Sequence, residues 1–181
     1  MSNYCIQAAL FKLPIPFLKC FAHNFWVLRE SESNTVIAQL HGLATSRKTG
    51  KIVPIGYKKD HSLKAHCVIY NAHFAREYHL QRGNYALPID AYHTVYEGDK
   101  CIQYWLRAIK AVEAINALDL NYPAGGFRIP LSASINSNSI YHTFARVMNV
   151  PLYTFSGFFQ IGIQASVFDR IKDRLSDNSF S

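Results

Sequence analysis

The sequence predicts an α+β domain in which an antiparallel sheet comes first and helices pack on it afterwards. Residues 21 to 70 hold short runs rich in aromatic and β-branched residues, separated by polar turns. Residues 99 to 120 carry apolar residues at spacings of three and four, the period of a helix. The 181 residues show no internal repeat and no low-complexity linker, and 49% of them are apolar. That is material for one domain, 1–181, with a sizeable core. Strands followed by helices favour α+β over a doubly wound parallel sheet.

Phe21 to Arg29 reads as one strand, Glu30 to Asn34 as a polar turn and Thr35 to Ala44 as the strand that returns. Ser46 to Tyr57 reads as a hairpin with Thr49 and Gly50 at its tip and Ile52, Val53 and Ile55 on the return. Leu63 to Tyr70 is a further strand. Asn71 to Tyr96 is expected to be irregular until a strand near Tyr92 to Tyr96. Asp99 is the expected N-cap of the main helix, whose stripe is Ile102, Trp105, Leu106, Ile109, Val112, Ile115 and Leu118. Pro123 stops it. A Gly/Pro-containing loop leads to Asn136-Ser137-Asn138-Ser139, then a helix over Ile140 to Met148, and a last helix over about 166–175 presents Val167, Phe168, Ile171 and Leu175.

The N-terminal segment lacks a basic leader, and Pro14 and Pro16 break its apolar run, so no signal peptide is expected. No stretch approaches eighteen apolar residues, which speaks against a membrane span. Lys plus Arg minus Asp plus Glu is 19 − 12 = +7. The excess gathers at Arg47, Lys48, Lys51, Lys58, Lys59 and Lys64, with Asp60 alone against them. Such a patch attracts anions, although a solvated hairpin face is the plainer reading. Nucleic acid is a minor alternative, since no zinc-finger or aromatic RNA-binding signature accompanies the charge. Cys5, Cys20, Cys67 and Cys101 are scattered, so no metal site is expected, no cofactor is implied, and buried or half-buried thiols are the default.

Three residues suggest chemistry. His23 lies in the first aromatic strand, within Ala22-His23-Asn24-Phe25-Trp26, and His41 near the end of the second. Ser137 stands at the mouth of a helix, where free N–H groups and the dipole favour an attacking oxygen and a nearby oxyanion. A serine needs a base, and a strand histidine oriented by a second polar group is one. With the turn centred at 32, His23 and His41 are each nine residues away and become cross-strand neighbours. Against this, Asn and Ser before a helix are ordinary capping residues. The other histidines, His61, His66, His73, His79, His93 and His142, show no usable spacing.

An early strand histidine, a polar residue in the next strand and N-S-N opening a helix together resemble the permuted papain-like fold. That group includes the LRAT-type acyltransferases, NlpC-type peptidases and PPPDE proteins. The resemblance runs from about His23 to Met148, a papain-like core of about 20–150, and is similar also to bacterial proteins with N-S-N-[ST] in place of N-C-N. It implies His23 as base, His41 as orienting residue, Ser137 as nucleophile, and Asn136 and Asn138 as motif-flanking positions. Asn24 and Trp26, beside His23, take the substrate-binding or motif-flanking role. Serine in place of cysteine removes the thiolate–imidazolium pair, so such a site works as a serine hydrolase or is inactive.

The implied function is a bacterial hydrolase or acyltransferase acting on an amide or ester bond of an anionic cell-envelope substrate, peptidoglycan peptide or phospholipid. It would be cytoplasmic, or an effector exported without a classical signal peptide. A catalytically inactive binding module on the same fold is the alternative, and a basic nucleic-acid-associated protein comes third.

Overall fold

The computed structural model describes residues 4–13, 20–53, 60–123 and 135–176. The strands are β1 (Tyr4–Lys12), β2 (Ala22–Glu30), β3 (Val36–Ser46), β4 (His61–Ile69) and β5 (Ala91–Glu97). The helices are α1 (Ala72–Glu77), α2 (Cys101–Asn116), α3 (Ser137–Met148) and α4 (Phe168–Ser176). The sheet is antiparallel with order β4-β3-β2-β1-β5. The expected α+β class is therefore what the chain adopts.

Side chains alternate across a strand, and the burial follows that rule. Ile6, Ala8 and Leu10 of β1, Ala22, Trp26 and Leu28 of β2, and Ala38 and Leu40 of β3 join the core shared with the helices. Ala9, Phe25 and Val27 form a second, smaller core on the back face, with Phe11, Val36, Leu87 and Ile89 against it. The extended segment 80–90 supplies Leu87 and Ile89 and crosses that face as a strap.

Helix α2 begins at Cys101 with Lys100 as a cap that makes no side-chain bond, one residue later than an Asp99 cap implies. Its buried seam is Cys101, Trp105, Ala108, Ala111, Ala114 and Ile115, so alanines carry the close approach and Ile109 and Val112 lie at its margin. Asn149 ends α3 in the left-handed conformation, φ 56°, and Pro151 follows. Trp26 stacks on Tyr141 at 4.5 Å and donates its Nε1–H to the Tyr141 carbonyl, which pins α3 to β2.

Strand β1 was not expected, and it is central: β2 pairs along one side and β5 along the other. The edge at β4 is closed from within the chain. Leu63 donates to the Leu120 carbonyl, Tyr122 to His61, and the Asn116 amide bonds both the N–H and the carbonyl of Ala65.

The hairpin tip is as expected, with Gly50 at φ 68° and Val53 donating to Ala44. Ile55, Tyr57, Lys58 and Lys59, the N-terminal prolines and the loop over 124–134 lie outside the described residues. The basic run is partly neutralised: Arg47 Nη1 donates to both Asp119 carboxylate oxygens at 2.7 and 2.8 Å, and Lys64 stands 3.5 Å from the same carboxylate. Cys5 and Cys101 are buried and Cys20 and Cys67 half-buried. Among the described residues no helix is long and apolar enough to cross a membrane.

Candidate functional site

The first turn of α3 is built by its own cap. Asn136 takes an extended conformation, accepts the Asn138 N–H at 3.0 Å, and forms a reciprocal capping box with Ser139, whose hydroxyl accepts the Asn136 N–H at 3.2 Å. The Asn136 amide also donates to the Ile161 carbonyl, and the Ser139 hydroxyl to Gly162. The N–H groups of Asn138, Ser139 and Ile140 all have partners inside this turn. An oxyanion hole needs such donors free, and here the cap occupies them.

The β2–β3 ladder ends at Trp26 opposite Leu40, and beyond it the two strands part. Into the fork comes Asn138. Its Oδ1 accepts the Asn24 N–H at 2.9 Å, and its Nδ2 donates to the carbonyls of Ala22 and Ile161 at 3.2 and 3.1 Å. The side-chain amide thus serves β2 as a neighbouring peptide would. On the β3 arm, Gly42 lets the helix settle. A Cβ there would lie 2.5 Å from the Ile140 Cβ and 3.0 Å from the Ser137 carbonyl oxygen.

Asn24 is held from the other side by Gln160. The Gln160 oxygen accepts both the Asn24 Nδ2–H at 2.7 Å and the Phe155 N–H, while its Nε2 donates to the Phe155 carbonyl. That locks the Asn24 amide, leaving its Oδ1 buried with no partner among the described residues.

Ser137 is half-buried in this turn, with its side chain towards the Tyr122 phenol. Burial holds the Tyr122 phenol above its ordinary value, so it is neutral near pH 7 and does not act as a base there.

The two histidines do meet, as the sequence suggests, but not opposite one another. The observed register centres the β2–β3 turn at 33 rather than 32, so the rings approach diagonally. His23 Nε2 lies 3.5 Å from His41 Nδ1, and both rings stack with Phe25. His41 Nε2 bonds the Gln39 oxygen at 2.9 Å. That oxygen also faces the Leu87 N–H and the Tyr70 hydroxyl, while Gln39 Nε2 donates to the Leu87 carbonyl. The network fixes the tautomers: His41 carries its proton on Nε2, and His23 donates from Nε2 to His41 Nδ1. Burial lowers His23 to about 4, and burial with the neighbouring His23 and His66 drives His41 well below 6.5.

Strand alternation decides the geometry. Asn24, Trp26 and Gly42 face α3, whereas His23, Phe25 and His41 face the strap. No hydrogen bond joins Ser137 to either histidine. The structure therefore brings His23 to His41 and Asn24, Trp26, Asn136 and Asn138 to one another, and leaves Ser137 on the opposite face from the proposed base. Asn136 and Ser139 are capping residues, Asn138 is a strand substitute, and Trp26 is core.

Sequence reasoning missed Gln39, Tyr122 and Gln160. Gln39 had a signal, since it lies two residues before His41 and so shares its face. Among the described residues no cluster of three or more His, Cys, Asp or Glu could hold a metal ion. No family model, no curated protein and no solved structure matches this chain.

Proposed function

We propose that the chain is a catalytically silent binding module on a permuted papain-like plan, engaging an anionic cell-envelope component, peptidoglycan or phospholipid. The observation that carries it is the separation of His23 from Ser137. A serine hydroxyl is a poor nucleophile without an adjacent base, and on the other face His23 turns its proton to His41 and His41 to Gln39. The net charge of +7 supports an anionic partner, as do Lys48 and Lys51, both exposed beside the hairpin tip.

Hydrolysis is the second reading. It is favoured by Ser137 being only half-buried in the first turn of α3.

Treatment with a serine-reactive fluorophosphonate separates the two. The silent module leaves Ser137 unlabelled, and the protein co-sediments with sacculi or with anionic vesicles in a salt-sensitive way. An adduct mapped to Ser137 and lost in Ser137→Ala would establish the hydrolase instead.

A further inference from the structure

We propose that the His23–His41 pair is an acid-sensitive latch for the strap over residues 80–90. At neutral pH the pair lies flat beneath the strap, and acid charges the rings and lifts it.

The strap is anchored at its ends by backbone bonds, Gly83 to Ile69 and Asp90 to Leu10. Between them it is held by two side chains of the sheet face and its border. The Gln39 amide bonds both the N–H and the carbonyl of Leu87, and the Tyr70 hydroxyl reaches the Tyr85 carbonyl at 2.8 Å. Tyr85 lies edge-on over His41 at 6.0 Å, and Leu87 and Ile89 close the apolar layer on Phe25 and Val27. The oxygen of Gln39 that receives the Leu87 N–H also receives His41. One amide thus joins the strap to the histidine pair.

The pair has no room for charge. His41 is 0% exposed and His23 6%. Proton positions also conflict: a second proton on His41 would enter at Nδ1, the atom that already accepts from His23. Among the described residues, the groups facing the pair add no negative charge. β2 supplies Phe25, and β4 supplies His66 across from His41, bonded to Thr45, while the Lys64 ammonium beyond it is turned to the Asn116 carbonyl and the Asp119 carboxylate. β1 supplies Phe11 and Ala9, and the strap supplies Tyr85, with Tyr70 at the end of β4. An imidazolium here meets aromatic rings and other histidines, so water is its remaining source of stabilisation. Water arrives when the strap leaves.

The sign follows from the proton affinities. Above about pH 6.5 both states are neutral and the strap is closed. As pH falls towards 4, the open state takes a proton that the closed state refuses, and closure weakens. With His23 at about 4 when closed and about 6.5 when open, going from pH 7 to pH 5 favours opening about 20-fold.

Hydrogen exchange measured by mass spectrometry and corrected for the intrinsic pH dependence reads this on the intact chain. Amides of 84–89 should lose protection about 20-fold at pH 5 relative to pH 7, while those of α2 and α3 keep theirs. The double variant His23→Phe/His41→Phe should abolish the difference. Should that variant misfold, imidazole resonances of the wild type give the second measurement, and His23 must titrate with the same midpoint as strap opening. Protection that does not change with pH overturns the latch. So does loss shared by α2 and α3, persistence of the effect in the double variant, or a His23 midpoint unrelated to opening.

Discussion

Replacing Asn136 by alanine removes the acceptor that caps α3 at a site only 3% exposed. Among the bonds that go, the Asn138 N–H loses its 3.0 Å partner and the Ile161 carbonyl one of two amide donors. Ile161 retains the Asn138 Nδ2–H, so the larger cost falls on the Asn138 N–H. Helix N-caps are worth about 1 kcal/mol, and a buried donor left unsatisfied costs about 1–3 kcal/mol. These describe overlapping losses, which places the effect at about 2 kcal/mol. For a chain of this length that is about 4–8 °C in Tm.

Ser137→Ala, one residue on, removes a hydroxyl at a half-buried position that does not cap the helix and should cost less than about 1 kcal/mol. Asn136→Ser keeps a capping oxygen and should recover about half of the alanine loss. Urea and thermal unfolding followed by circular dichroism measure all three. If Ser137→Ala proves as costly as Asn136→Ala, or Asn136→Ala costs less than about 0.5 kcal/mol, the assignment of this segment as a cap fails.

Gly42→Ala should cost about 1–3 kcal/mol or more, because the new methyl would stand 2.5 Å from Ile140 Cβ and α3 must move to admit it. Urea denaturation checks this, and a neutral result would mean that the helix does not sit in the fork. Asp119→Asn should leave the fold intact, since asparagine tolerates the φ of 44° there. It frees Arg47 and Lys64 from their shared carboxylate, so the variant should elute from heparin at higher salt than the wild type. Earlier elution would count against a local basic patch.

The sequence showed the fold wherever pattern and position coincide. Trp105 and Ile115 lie on the buried side of α2 as their spacing suggests, and the N-S-N-S segment opens a helix. Strand β1 was hidden because both its faces are buried, which erases the alternation that marks a half-exposed strand. The alanines of α2 were invisible to a search for large apolar residues. At the site, His23 and His41 were rightly placed together. Parity within β2 puts Asn24 and Trp26 on one face and His23 on the other, but no local pattern says which face the helix will take. The pairing of Arg47 and Lys64 with Asp119 was equally out of reach, since it depends on a residue far along the chain.

The amide of Asn138 has a consequence for how the molecule assembles. It completes the backbone bonding of Ala22 and Asn24 from 116 and 114 positions further along. Until α3 is made, the opening half of β2 has one flank without its native partners, and β1 lacks β5 on its outer side. Contacts so remote in sequence close late and slow the search for the native state. On the ribosome, the first three strands therefore emerge as a template with open borders, in need of protection from other chains until the last third of the polypeptide arrives to seal them.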